Sequence, residues 1–183
     1  MTDPVAVFFT WTTYGTWLPG DPRGYVSYTL KPGGGYERRQ NVPGTPFTAN
    51  DPYTHARAKE AMKLDPVVLS TITARWAAEG LIKAAQDNRW RIVRGAIMAM
   101  HVHLLVPLMD AKAWWVRKIL KGRASRYMSD QQYKTWRWWA AGGRDDHLFT
   151  DESATNVIRY IEDQQGILAF IVENAVTEPP KRP

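Results

Sequence analysis

Apolar residues recur along this chain in two different periods, and the alternation between them outlines the fold. Residues 5–14 are rich in aromatic and β-branched side chains and read as a strand. Residues 90–98 and 101–108 read as two more strands, separated by a tight turn near Ala99-Met100 unless they form one long strand. Helical patterns cover residues 53–63, then run from the Asp65-Pro66 pair to about Asp87, with Asp65 as N-cap and Pro66 as first helical residue. A further helix runs from Asp110 to about Met128, and residues 135–140 and 148–150 read as strands around Gly142-Gly143. The last helix is the clearest. Ala154, Val157, Ile158 and Ile161 form its apolar stripe, Thr150 and Asp151 are its capping candidates, and Gly166 stops it.

Between the first strand and the first helix, residues 15–52 are rich in Gly and Pro, with Gly33-Gly34-Gly35 at their centre, and read as a long surface excursion. Arg38 and Arg39 give it a basic tip, as a DNA-contacting arm or as solvated loop charge. With the excursion set aside, the order is β-α-β-β-α-β followed by a helix. The predicted fold class is therefore α+β: a ferredoxin-like or RRM-like antiparallel sheet with helices on one face, plus a C-terminal tyrosine-bearing helix. Residues 1–183 are expected to form one domain, with a short flexible tail over about 176–183.

The candidate chemistry lies in His101-Val102-His103. Alternate side chains of a strand share a face, so two of the four histidines in the chain point the same way and make half a metal site, or else a pair of structural histidines. In the last helix, Tyr160 and Gln164 are spaced i and i+4, which predicts that they sit one turn apart at the edge of the apolar stripe. His55 and His147 read as loop or surface residues, with a supporting role for His147 beside Asp145 and Asp146 as the alternative.

The 183 residues carry 24 Lys and Arg against 18 Asp and Glu, a formal charge of +6 that suits a polyanionic partner. Much of this charge is concentrated. Residues 111–129 contain Lys112, Arg117, Lys118, Lys121, Arg123 and Arg126 and no acidic residue. On a helical projection Arg117, Lys118, Lys121 and Ser125 share an arc opposite Val116, Ile119 and Leu120, able to cradle phosphates, while Arg123 and Arg126 project toward the apolar side. Five of the nine tryptophans (Trp114, Trp115, Trp136, Trp138 and Trp139) cluster nearby, as core or as surfaces on which bases stack. The absence of cysteine excludes disulfides, thiolate metal sites and cysteine nucleophiles. No basic leader with an apolar h-region opens the sequence and no run approaches transmembrane length, so a cytoplasmic protein without membrane partners is expected.

Taken in order, His101-Val102-His103, Lys121-Gly122-Arg123-Ala124-Ser125 and Tyr160-Ile161-Glu162-Asp163-Gln164 resemble the motifs of the HUH superfamily. The resemblance is to its single-tyrosine transposases of small insertion sequences and their REP-associated relatives. It runs from about Val5 to about Gln165, and the opening Phe9 to Gly20 resembles the start of one transposase-like branch. It implies a divalent ion, Mg²⁺ or Mn²⁺, held by His101, His103 and the amide oxygen of Gln164. Tyr160 would be the nucleophile that cleaves and rejoins single-stranded DNA through a 5′-phosphotyrosine. Arg117, Lys118, Lys121, Arg123, Ser125 and Arg126 would contact DNA. The implied partners are hairpin-forming single strands and a second copy of the chain in a homodimer, with nucleoid association when bound. A non-catalytic or domesticated single-strand-binding protein of the same fold is the alternative.

Overall fold

The computed structural model describes residues 3–23, 51–107, 110–132 and 137–180. Gly33-Gly34-Gly35, Arg38, Arg39, Trp136 and most of the 15–52 excursion lie outside the described residues. The chain divides into two compact units, Met1–Thr13 with Val67–Pro183, and Tyr14–Pro66.

The larger unit is built on a six-stranded antiparallel sheet of order β4-β1-β3-β2-β5-β6. Its strands are β1 (Ala6–Thr12), β2 (Arg94–Met98), β3 (His101–Pro107), β4 (Arg144–Leu148), β5 (Ile167–Val172) and β6 (Ala175–Thr177). Its helices are α2 (Thr71–Asp87), α3 (Ala113–Gln132) and α4 (Asp151–Glu162), and α1 (Pro52–Glu60) belongs to the smaller unit. The first four strands with α2 and α3 have the ferredoxin-like order, and β5-β6 extends the sheet beyond β2.

Register determines which helices share a face. Phe9 of β1 pairs with Asp145 of β4, and Asp145 accepts a hydrogen bond from Arg117 of α3. The neighbouring Phe8, which points to the other side, meets Tyr160 of α4 edge-on. Hence α3 and α4 cover opposite faces. Beneath α4, Ala6, Ala96, Met98, Leu105, Ile161 and Phe170 form a buried cluster, with Val157 and Ile158 packed on it as the sequence pattern predicts.

Several expected boundaries differ. Asp65-Pro66 does not start a helix; α2 begins after Ser70, whose hydroxyl accepts from Thr73 N while Thr73 Oγ1 accepts from Ser70 N. The intervening segment is instead tied to the chain before β3, where Leu69 N donates to Ala99 O, and Val67 and Leu69 are buried. A different Asp-Pro pair, Asp51-Pro52, caps a helix, α1, with the Asp51 side chain accepting from Thr54 N.

The strand expected over residues 135–140 is reduced, within the described residues, to a single bridge between Thr13 and Trp139. Beyond Gly143 the strand is the polar Arg144–Leu148, displaced from the predicted 148–150, and Thr150 caps α4. Such a sequence lacks an apolar signal. It is held as an edge strand by its ladder to β1 and by the pairs Arg117–Asp145 and Arg144–Asp146.

The β5-β6 hairpin was not anticipated, although Ile167–Val172 is an unbroken apolar run. Its turn residues Glu173 and Asn174 both have positive φ, 49° and 58°, as a two-residue hairpin turn of this hand requires. The Asn174 amide ties the turn to Ile92 N and Trp90 O. Strand β6 reaches Thr177, into the segment read as tail.

Helices α2 and α3 cross where Gly80 lets them touch: a Cβ there would lie 2.9 Å from Ala124 Cα and 2.9 Å from Tyr127 Cβ. On an exposed helix, Gly→Ala gains about 1 kcal/mol. At this crossing the sign reverses. Gly80→Ala is expected to lower the melting temperature, because two backbones must separate across a close-packed core; an unchanged or higher Tm would mean the helices part at little cost.

Candidate active site

Three aromatic side chains from two elements converge on the α4 face of the sheet. His101 and His103 both project there from β3, with ring centroids 5.0 Å apart. Tyr160 comes down from α4, its ring 5.4 Å from that of His103 and edge-on to it. Phe8 completes the packing, stacked on His103 at 5.3 Å and edge-on to Tyr160 at 5.9 Å. Phe8 precedes the histidines by more than ninety residues and Tyr160 follows His103 by 57; the antiparallel pairing of β1 with β3 and the docking of α4 bring them together.

The histidines differ in setting. His103 is buried and shares a 2.9 Å hydrogen bond between Nδ1 and Thr10 Oγ1, its partner across the ladder. When Nδ1–H donates to that hydroxyl, Nε2 carries the lone pair and is the nitrogen left for an ion. Burial, with a smaller contribution from His101, pushes the His103 pKa down to about 3, so the ring is neutral at physiological pH. His101 is only partly buried.

This depression has a consequence for stability. The unfolded chain takes up a proton near pH 6.5 while the native site refuses it until about 3, so the contribution is complete above 6.5 and is lost as pH falls. At pH 4.5 the cost is about 2–3 kcal/mol. Denaturant titrations of metal-free protein from pH 7.5 to 4.5 should show this slope, and His103→Leu should flatten it; an equal slope in both proteins would assign the acid sensitivity elsewhere.

Tyr160 is 49% exposed at the margin of the α4 stripe, open to a substrate yet braced on one side by His103 and Phe8. The helix is anchored next to it by Ile161, fully buried, and by Glu162, which accepts from Arg94 Nε of β2 at 2.7 Å. Gln164 departs from expectation. The helix ends at Glu162 with Asp163 as C-cap, so Gln164 lies past its last turn, where Nε2 donates to the carbonyl of Tyr160 at 3.0 Å. Gln164 is thereby kept on the turn that carries Tyr160.

Among the described residues, no three His, Cys, Asp or Glu side chains are grouped to hold a metal. The two imidazoles nevertheless suit one. They are imidazole donors at a spacing that admits a single ion bonded at about 2 Å to one nitrogen of each. At the sheet edge, Arg144 stands opposite Thr10 and pairs with Asp146 at 2.7 Å, placing a largely exposed cation on the same face. Thr10, Phe8 and Arg144 were not identified from sequence, since only the strand register brings them beside the histidines.

The basic helix lies on the other face and divides in two. Arg117 is paired with Asp145, and Lys121 Nζ donates to Ala140 O at 2.8 Å and to Gly142 O, so these two cations fasten α3 to the chain around β4. Burial and then Arg117 bring the Lys121 pKa down to about 8, still charged at neutral pH. Ser125 is half-buried, whereas Lys118, Arg123 and Arg126 are exposed. The buried stripe is Ala113, Val116, Leu120, Ala124 and Met128, which corrects the projection that turned Arg123 and Arg126 toward the apolar side. Trp138 and Trp139 are core residues, while Trp114 and Trp115 are exposed.

No described helix is long and apolar enough to cross a membrane. No protein-family model and no curated protein matches the sequence. Among solved structures, the chain is similar to a REP-associated tyrosine transposase bound to a REP hairpin, at 10% sequence identity and a TM-score of 0.48, over 87% of this chain and 66% of that one.

Proposed function

We propose that this protein is a metal-dependent single-strand DNA transesterase that cleaves and rejoins DNA through Tyr160. The observation that carries the reading is the convergence of His101, His103 and a half-exposed Tyr160 on one face of the sheet. His101 and His103 would hold Mg²⁺ or Mn²⁺, with the amide oxygen of Gln164 as a further ligand. When bound, the ion supplies positive charge for the scissile phosphate and leaving oxygen, and favours the phenolate.

The remaining chemistry belongs to the chain. Thr10 orients His103, and Phe8 and His103 brace the ring of the half-exposed Tyr160, which is open to a substrate. Tyr160 Oη forms a bond to phosphorus as the P–O3′ bond breaks; the phenol loses its proton and the departing oxygen gains one as a 3′-hydroxyl. A 5′-phosphotyrosine results. Attack by another 3′-hydroxyl on this phosphorus reverses the exchange, restoring the phenol and joining two strands without a nucleotide cofactor. Hairpin-forming single strands are the proposed substrate, and a homodimer the proposed assembly.

Incubation with labelled single strands from the DNA flanking the gene, with Mn²⁺ or Mg²⁺, tests this on denaturing gels. A metal-dependent, protease-sensitive protein–DNA adduct is expected, together with a shortened strand ending in a 3′-hydroxyl. Binding to such strands with no cleavage of any would favour a non-catalytic single-strand-binding role instead.

A further inference from the structure

Two large aromatic side chains on α3 have no place in the site described above. Trp114 and Trp115 are 52% and 43% exposed, and their rings meet edge-on at 5.8 Å. Neighbouring tryptophans are normally buried for their apolar area, as Trp138 and Trp139 are. Leaving two in solvent side by side makes a paired aromatic surface. Lys118 Nζ sits 5.2 Å from the centre of the Trp115 ring, so the surface carries a cation on its flank.

Helical spacing extends the patch. Trp114, Lys118, Gly122 and Arg126 follow one another at four-residue intervals, a stripe about 18 Å long on the exposed side of α3. At Gly122 nothing lies within 4 Å of where a Cβ would be, so a strand could pass close to the helix backbone there. Lys112 is exposed just before the helix, and no carboxylate occurs from residue 111 to 129. Asp110 and Asp130 stand only at its two ends, and a surface that combines open aromatic rings with a net excess of positive charge matches a chain with flat bases and a phosphate on every unit.

We propose that Trp114 and Trp115, with Lys112, Lys118 and Arg126, form a stacking platform for single-stranded DNA, separate from the His101–His103–Tyr160 site. The two tryptophans stack on unpaired bases, and the flanking cations meet the phosphates. Since α3 and α4 cover opposite faces of the sheet, the platform engages DNA away from the scissile phosphate. It reads no base edge, and its preference is for unpaired over paired DNA. The choice of DNA as the polyanion rests on the function proposed above.

The platform is tested without cleavage, by fluorescence anisotropy of labelled oligothymidine in EDTA, using the Tyr160→Phe protein as parent. Trp114→Ala and Trp115→Ala are each expected to weaken binding about tenfold or more, and Lys118→Ala to reduce the salt dependence. Trp115→Phe, which keeps a ring, should recover part of the loss and controls for misfolding. Unchanged affinity in the double alanine variant would overturn the proposal. So would a double variant that binds DNA normally but has lost binding to phosphatidylglycerol vesicles, or has lost self-association by sedimentation. If the platform binds but no flank is ever cleaved, the catalytic reading fails while the platform stands.

Discussion

Tyr160→Phe is expected to abolish the covalent protein–DNA product and to lower strand cleavage by about 10³-fold or more, while leaving DNA binding and stability close to those of the parent. Removing one oxygen deletes the attacking atom, and losses of this order follow when a nucleophile is deleted. The benzyl ring keeps its contacts with His103 and Phe8, and the side chain is half in solvent, so little packing is lost. Denaturing gels with end-labelled strands measure the product, and thermal unfolding checks the fold. Cleavage that persists in Tyr160→Phe with no adduct would replace transesterification with hydrolysis by an activated water.

The second large effect concerns the histidines, and the structure predicts that they behave differently. His101→Ala should reduce metal-dependent cleavage about 10²- to 10³-fold with little change in Tm, because His101 is only partly buried. His103→Ala should match that loss in activity and also destabilise the protein. His103 is buried between Phe8 and Tyr160 and hydrogen-bonded to Thr10, so truncation opens a cavity and leaves the Thr10 hydroxyl without its partner. Chelation with EDTA should reproduce the activity loss of either variant in the parent protein, and added Mn²⁺ should restore the parent only. Full cleavage in EDTA would remove the metal from the mechanism.

Much of this site was legible in residue order. The period-two geometry of a strand places His101 and His103 on one face wherever the strand is, and the apolar stripe of Ala154, Val157, Ile158 and Ile161 leaves Tyr160 at its margin whatever it packs on. For Gln164 only the helix end differs: the helix stops at Glu162, so the residue follows the C-cap and does not lie on the last turn. Arg117 and Lys121 could not be told from Lys118 and Arg126 by charge alone, yet the former fasten α3 to the chain around β4 and the latter face solvent. Likewise, nothing in the local sequence separates Trp114 and Trp115 from Trp138 and Trp139, which sit in the core.

What the residue order determined on its own were properties set within a few residues of each position: the periods, the capping signal before α4, the shared face of the histidines, the local excess of positive charge and the ferredoxin-like order of elements. Tertiary structure decided that Asp51-Pro52 and not Asp65-Pro66 starts a helix, that Arg144–Leu148 is a strand despite its polarity, and that β5-β6 extends the sheet. It also decided that Thr10 and Phe8 stand beside the histidines. The physical reason is the same in each case: local geometry repeats with a fixed period, whereas strand pairing, register and burial depend on contacts between residues far apart in the chain, and those contacts override weak local preferences.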